Sequence, residues 1–293
     1  MTPEHRDLLE SAFREYLDRL AHGELEPSHQ YCDYEFGFLE NRKWHLLGKE
    51  MVACELQELT NLLNRWLNGL HKWHAWNTVI ANHDNESAWE LWSEFLDALA
   101  HECLLRPSSI RDTLTAVATN ALHQIRLSIE PGYPDRLEGE PRTPDEEPAH
   151  LTRRKKENRL SKLAVVWKDA DTFLAAIRNL DSREYRERTF DYRNLNSHAI
   201  GPRLGIGYTG TVKRSVVQAM EHKQLEDGIY EMVPIPGKLT VSYGFGGTPP
   251  LDLQKAWEAN VEQFAIAREC YNRYRQLLEK AIADTQTSGD PET

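Results

Sequence analysis

The chain has 293 residues, with 46 acidic and 35 basic side chains, a net charge of −11 and 40% hydrophobic residues. That is apolar enough to bury the core of one large domain or two modest ones, and too apolar for a disordered chain. Averaged over the whole length, the negative charge argues against a general polyanion binder.

The charge is unevenly spread. Residues 1–150 hold 13 basic and 27 acidic side chains, residues 151–223 hold 16 and 8, and residues 224–293 hold 6 and 11. A middle segment carrying +8 is what contact with RNA would need. Cys32, Cys54, Cys103 and Cys270 are scattered and form no C-x-x-C pair, so they read as free thiols in a reducing cytoplasm. The N-terminus is an amphipathic, charged stretch rather than a signal peptide, and no eighteen apolar residues run together. The expectation is a cytoplasmic protein with no membrane partner.

In chain order, Leu8, Leu9, Phe13, Tyr16, Leu17 and Leu20 share one face and predict a helix over 4–22. Trp44, Leu47, Met51, Leu56, Leu59, Leu63, Trp66, Leu70 and Trp73 recur at threes and fours and predict a long helix over 43–81. Asp84 to Ser87 caps a helix over 87–105, and Pro107 opens another that reaches 129. Five of the fourteen prolines fall between 130 and 157, which reads as a long, partly mobile loop crossing one bundle. Helices over 157–180 and 182–200 follow, then a Gly-rich stretch over 201–210 and a helix over 211–225. Ile229 to Val233 and Leu239 to Tyr243 flank Pro234 to Gly237 and predict a small β-hairpin within 229–245. A last helix begins near Thr248 to Asp252 and runs to 283, and 284–293 reads as a disordered tail. The fold class expected is mainly α: a single helical domain over 1–283, with a small β-hairpin inserted before the last helix.

Three features invite functional readings that their surroundings weaken. His71 and His74 stand at i, i+3, but no Asp, Glu or Cys lies at ligand spacing, so packing or capping is expected and no metal. The six tryptophans between Trp44 and Trp92 have core spacing rather than the layout of a stacking platform. Gly205-Ile-Gly207-Tyr-Thr-Gly210 matches G-x-G-x-x-G but follows a predicted helix, with no parallel-sheet pattern around it. No cofactor is expected. Its glycines, edged by Arg203, Lys213 and Arg214, could still approach an RNA backbone through their amides.

The segment with a claim to chemistry runs from Tyr192 to Arg203. At 100° per residue, Tyr192, Leu195 and Ala199 share one stripe with Tyr185. Arg193, Asn194, Ser197 and His198 share the opposite face, with Phe190 pointing into its middle. Arg, a polar residue, three more and His resembles the R-x4-6-H signature of the HEPN superfamily, over residues 90–225. That family is an α-helical bundle, and many members look like metal-independent endoribonucleases of toxin–antitoxin, phage-exclusion and CRISPR settings. The resemblance implies His198 as general acid/base, Arg193 on the scissile phosphate, and Asn194 orienting the phosphate or the His. It also implies RNA as substrate, an antitoxin protein as a partner class, and a homodimer with Phe190, Arg193 and His198 near its axis. Members paired with a nucleotidyltransferase often carry a Tyr two residues after the His; Ile200 stands there, so no adenylylation switch is implied.

The residue types suit such chemistry. Cleavage by the RNA's own 2′-hydroxyl needs a side chain that moves protons near neutrality and a fixed cation facing the phosphorane, roles that His and Arg fill. Two alternatives stand beside it. Arg193 could instead pair with Asp191 or Glu187 while His198 caps the helix C-terminus. The chain could also be a non-catalytic helical module binding a protein or a nucleotide.

Overall fold

The structure, a computed structural model, describes residues 2–226 and 228–283. It is mainly helical, with a two-stranded antiparallel sheet before the last helix. The tail expected over 284–293 lies outside the described residues.

Helix α1 spans Pro3–His22, with the Thr2 side chain accepting from the His5 amide and Pro3 in the first turn. α2 spans Gly48–Ile80. α3 spans Asn85–Leu91 and is capped by the Asp84 carboxylate, which accepts from the Glu86 and Ser87 amides. One π-turn, Trp92–Leu96, joins it to α4, Asp97–Ile129. α5 is Arg153–Ala164, α6 Ala170–Asn179, α7 Arg183–Arg188 and α8 Tyr192–His198. Strands β1, Thr209–Gln224, and β2, Tyr230–Thr248, precede α9, Leu253–Ala283.

Three long helices, α2, α4 and α9, form the core. Most of the stripe read from the sequence is buried: Leu56, Leu59, Leu63, Trp66, Leu70 and Trp73 on α2 are almost fully enclosed, whereas α2 begins only at Gly48, Leu47 before it is exposed, and Val52 rather than the exposed Met51 faces the core. Burying each such side chain contributes about 1.5–3 kcal/mol, which is why the stripe dictates the packing. Polar groups inside the bundle are matched. Trp66 Nε1 donates to Asn260 Oδ1 at 2.7 Å, Trp257 Nε1 to the Leu70 carbonyl at 3.0 Å, and the Thr60 and Tyr271 hydroxyls lie 2.7 Å apart. His71 bonds the Pro27 carbonyl through Nε2 at 2.9 Å, and the His74 ring packs on Trp257.

Several local expectations are corrected. Pro107 does not open a helix; it lies inside α4, because Ala100 and Leu104 before it and Ile110 and Leu114 after it belong to one buried stripe. The loop expected over 130–157 ends at 152, where α5 begins, and the single helix expected over 157–180 is two, α5 and α6, separated at 165–169. The loop itself is tied down. The Tyr133 hydroxyl lies 3.0 Å from His123 Nδ1, its ring sits under the Arg126 guanidinium, and the Ala149 amide donates to the Gly139 carbonyl. The single helix expected over 182–200 is two short ones, broken where Phe190 and Asp191 take left-handed φ values of 51° and 50°. The helix expected over 211–225 is strand β1.

That last correction redraws the hairpin. β1 pairs with β2 from Thr209↔Thr248 to Gln224↔Tyr230, so the strands are joined beyond Gln224 and not at Pro234 to Gly237. The latter residues form an irregularity opposite Gln218 to Met220. The result is a long ribbon whose packing is almost wholly between its own strands.

Candidate functional site

The motif helix α8 is set in place by what precedes it. Arg153, at the start of α5, donates to Asp112 at 2.7 Å and to Asp181 at 2.5 Å, while Arg186 reaches the Asp181 carbonyl at 2.9 Å. Burial opposes the Arg153 charge, but hydrogen bonds and attraction from Asp112 and Asp181 outweigh it and hold the guanidinium firmly protonated. The buried Tyr185 hydroxyl donates to the Leu104 carbonyl at 3.2 Å and accepts from Asn260 at 3.0 Å, fastening α7 to α4 and α9.

α7 then ends in a Schellman pattern. The Asp191 amide donates to the Arg186 carbonyl and the Phe190 amide to the Glu187 carbonyl, leaving Phe190 in the left-handed position that glycine usually takes. The chain turns sharply and α8 starts afresh at Tyr192. Phe190 is therefore not on the wheel of α8; it is 41% exposed, in a shallow depression with Arg183, Arg186, Glu187 and Asp191.

Arg193, Asn194, Ser197 and His198 all lie within α8, so their common face survives the break. Arg193 is half-buried, and Asn194 and His198 are exposed. Glu187 is bound to Arg183 at 2.6 Å, and Asp191 accepts from Asn194 at 3.0 Å. Among the described residues, neither Arg193 nor His198 has a hydrogen-bonded or ionic side-chain partner. Asn194 is thus braced against the chain, while the Arg and the His are free to meet a ligand.

The other face of α8 borders a cleft of about 650 Å³, which the sequence did not reveal. Tyr192 and Asn196 form one wall, Asp97, His101 and Trp92 a second, and the Gly-rich loop with Arg203 and Tyr208 a third. The Tyr192 hydroxyl lies 2.8 Å from His101 Nδ1. Burial, reinforced by the Asp97 charge, pushes this phenol well above its ordinary pKa, so it stays protonated. Trp92 Nε1 is buried without a partner at the start of the π-turn, a distortion often found at functional sites. One signal was available: His101 and Tyr192 are the polar ends of two otherwise apolar stripes.

The Gly-rich loop is built for close approach. Gly205 and Gly207 have φ of 67° and 92°, and a Cβ on Gly207 would meet Arg203 Cδ at 2.8 Å, so the arginine lies along bare backbone. Hydrogen bonds between the Arg203 to Gly205 backbone and Leu251 anchor the loop. The structure does not gather the three nominated cations. Arg203 borders the cleft, whereas Lys213 and Arg214 are adjacent on β1 and point from opposite faces of the ribbon. Like Arg193, all three lack a carboxylate partner among the described residues.

Compared with family models, curated proteins and solved structures, the chain matches none. No helix among the described residues is long and apolar enough to cross a membrane.

Proposed function

We propose that the chain is a HEPN-like, metal-independent endoribonuclease, with His198 as general acid/base, Arg193 on the scissile phosphate and Asn194 orienting. One observation supports this above the rest: Arg193 and His198 share an exposed face, and both carboxylates that could have neutralised the arginine point elsewhere. A purely structural Arg and His would be expected to have partners.

In the proposed reaction the RNA 2′-hydroxyl loses its proton as its oxygen attacks the adjacent phosphorus. The 5′-oxygen of the next nucleotide leaves and takes up a proton, giving a 2′,3′-cyclic phosphate. Arg193 faces the charge that gathers on the phosphorane oxygens. His198 stands five residues beyond Arg193, about 7.5 Å along the helix axis and 140° around it, so one α8 offers a single proton-moving group on one side. A second copy, with its own α8 facing the first, would supply a group on each side of the phosphorus. In this reading Arg203 extends the RNA path. A toxin or phage-defence role and an antitoxin partner belong to the same reading.

The test is purified protein with bulk RNA, with and without excess chelator. Cleavage should survive the chelator and leave cyclic or 3′-phosphate ends; 5′-phosphate ends or strict magnesium dependence would contradict 2′-hydroxyl attack. The cleft favours one alternative, a nucleotide-binding module, since its volume and its mixed Arg203, Trp92 and Tyr208 lining fit a nucleotide. Nucleotide binding that depends on Arg203, with no RNA cleavage, would select it.

A further inference from the structure

The β1–β2 ribbon carries a feature that the nuclease reading does not use. Directly opposed residues of an antiparallel pair share a face, and faces alternate along each strand. The register puts Val212 opposite Phe245, Arg214 opposite Tyr243, Val216 opposite Val241 and Gln218 opposite Leu239. Towards the tip the same face continues through Met220 opposite Pro234, His222 opposite Met232 and Gln224 opposite Tyr230. The other face carries Lys213 opposite Gly244, Ser215 opposite Ser242, Val217 opposite Thr240, Glu221 opposite Val233 and Lys223 opposite Glu231. From Val212 to Gln224, every rung of the first face holds at least one apolar side chain, beside Arg214, Gln218, His222 and Gln224, whereas the second face is mixed and mainly polar.

Its apolar face is bare. Phe245 is 94% exposed, Leu239 68% and Tyr243 65%, and no helix packs on them. A two-stranded ribbon is marginally stable by itself in water, and a contiguous apolar strip of this kind marks an interface. Phe190 is a single ring in a shallow depression and offers far less.

We propose that this face is a self-association surface, whose occupant is the same face of a second copy of this chain lying antiparallel to it. Size is the first argument. Fifteen paired rungs at about 3.4 Å each give a strip roughly 50 Å long and about 10 Å wide. Two such strips packed face to face bury on the order of 1,000 Å², the lower bound of a specific interface, which fits a reversible dimer. A nearly continuous stripe is also self-complementary under a two-fold rotation, as an isologous contact requires.

Charge fixes the direction. Near the base, Lys213 and Arg214 have no acidic neighbour on the ribbon, whereas Glu221, Glu226 and Glu231 gather towards the tip against Lys223. Antiparallel packing sets each basic base over the other copy's acidic tip; Arg214 lies on the packed face itself, while Lys213, Glu221 and Glu231 act from the outer faces across roughly 20 Å, a screened bias that strengthens at low salt. Parallel packing would set like against like. Along this face the aliphatic Val212, Val216, Met220, Met232, Leu239 and Val241 outnumber the aromatic rings, which favours protein packing over base stacking. The surface does not depend on nuclease chemistry: antiparallel packing leaves the two ribbon bases, and the α8 helices that precede them, about a ribbon length apart, so this contact is separate from any pairing of two α8 helices.

Sedimentation velocity of the full chain, from about 1 to about 100 µM, tests this, with circular dichroism and melting to confirm that the helices stay folded. The wild type should show a concentration-dependent dimer. Val241→Asp with Phe245→Asp should raise its dissociation constant roughly tenfold or more, while Phe190→Asp has a smaller effect. Lys213→Glu with Arg214→Glu should weaken it, and adding Glu221→Lys with Glu231→Lys should restore it. A wild type that stays monomeric throughout overturns the proposal, as does a dimer indifferent to the ribbon variants. A monomer that binds fluorescent oligouridylate in a Phe245-dependent way overturns it in favour of RNA. RNA cleavage is assayed separately, so either idea can fail alone.

Discussion

Asn260 is fully buried and serves two helices besides its own: it accepts from Trp66 on α2 and donates to Tyr185 on α7. Asn260→Ala would strand the indole donor of Trp66 and one acceptor site of Tyr185, at about 3 kcal/mol. Urea unfolding should show that loss with an unchanged slope. Glu55 shows the opposite economy. Its Oε1 accepts from Asn120 at 2.5 Å, while its buried Oε2 has no partner. Burial raises its carboxyl above the ordinary carboxylate value, although the Asn120 hydrogen bond works the other way. The folded state therefore keeps this proton to higher pH than the unfolded chain does, and the associated stability is present at low pH and lost as pH rises through the raised value. Glu55→Gln keeps the acceptor and removes the charge, so it should raise the melting temperature at pH 7.5 and raise it less near pH 5. Melting at both pH values checks the sign.

At the scale of elements, the ribbon and the bundle are nearly separate bodies. Replacing residues 211–246 with a short Gly/Ser turn should leave helical content and melting temperature almost unchanged, because the ribbon's contacts are its own. A large drop would mean that the ribbon packs on the helices after all. The helices were legible because a buried stripe repeats at 3.6 residues, and on α2 the announced residues from Leu56 to Trp73 are enclosed while Leu47 and Met51 at its start are exposed. The ribbon was misread for a physical reason. Val212, Val216, Val217 and Met220 fall at spacings of four, one and three, which imitates a helical stripe when both neighbours are helices. Their β-branched character, and the Asp227-Gly228 pair ahead of β2, pointed to strand and turn. Pro234 and Gly237 drew the turn to themselves, although they sit at an irregularity within β2. On α8, the face shared by Arg193 and His198 could be read from spacing alone. The left-handed break at Phe190 could not, because neither Phe nor its neighbours signal it, and the cleft joins residues about a hundred positions apart.

Over the whole molecule, the basic middle segment divides in two. Arg153 and Arg186 hold Asp181, Arg188 holds Glu262 on α9 and Arg183 pairs with Glu187 on its own exposed turn, whereas among the described residues Arg193, Arg203, Lys213 and Arg214 have no carboxylate partner. These four lie on the motif helix, at the cleft and on the ribbon, in a protein whose net charge is −11. That arrangement suits a polyanion held locally rather than over the whole surface. The most direct test of the account is cleavage of bulk RNA in excess chelator by the wild type, His198→Ala and Arg193→Ala, each shown to be folded by circular dichroism and melting temperature. The account predicts cleavage by the wild type with 2′,3′-cyclic or 3′-phosphate ends, and its loss in both variants with the helices intact. A folded His198→Ala protein that cuts as fast as the wild type would contradict it.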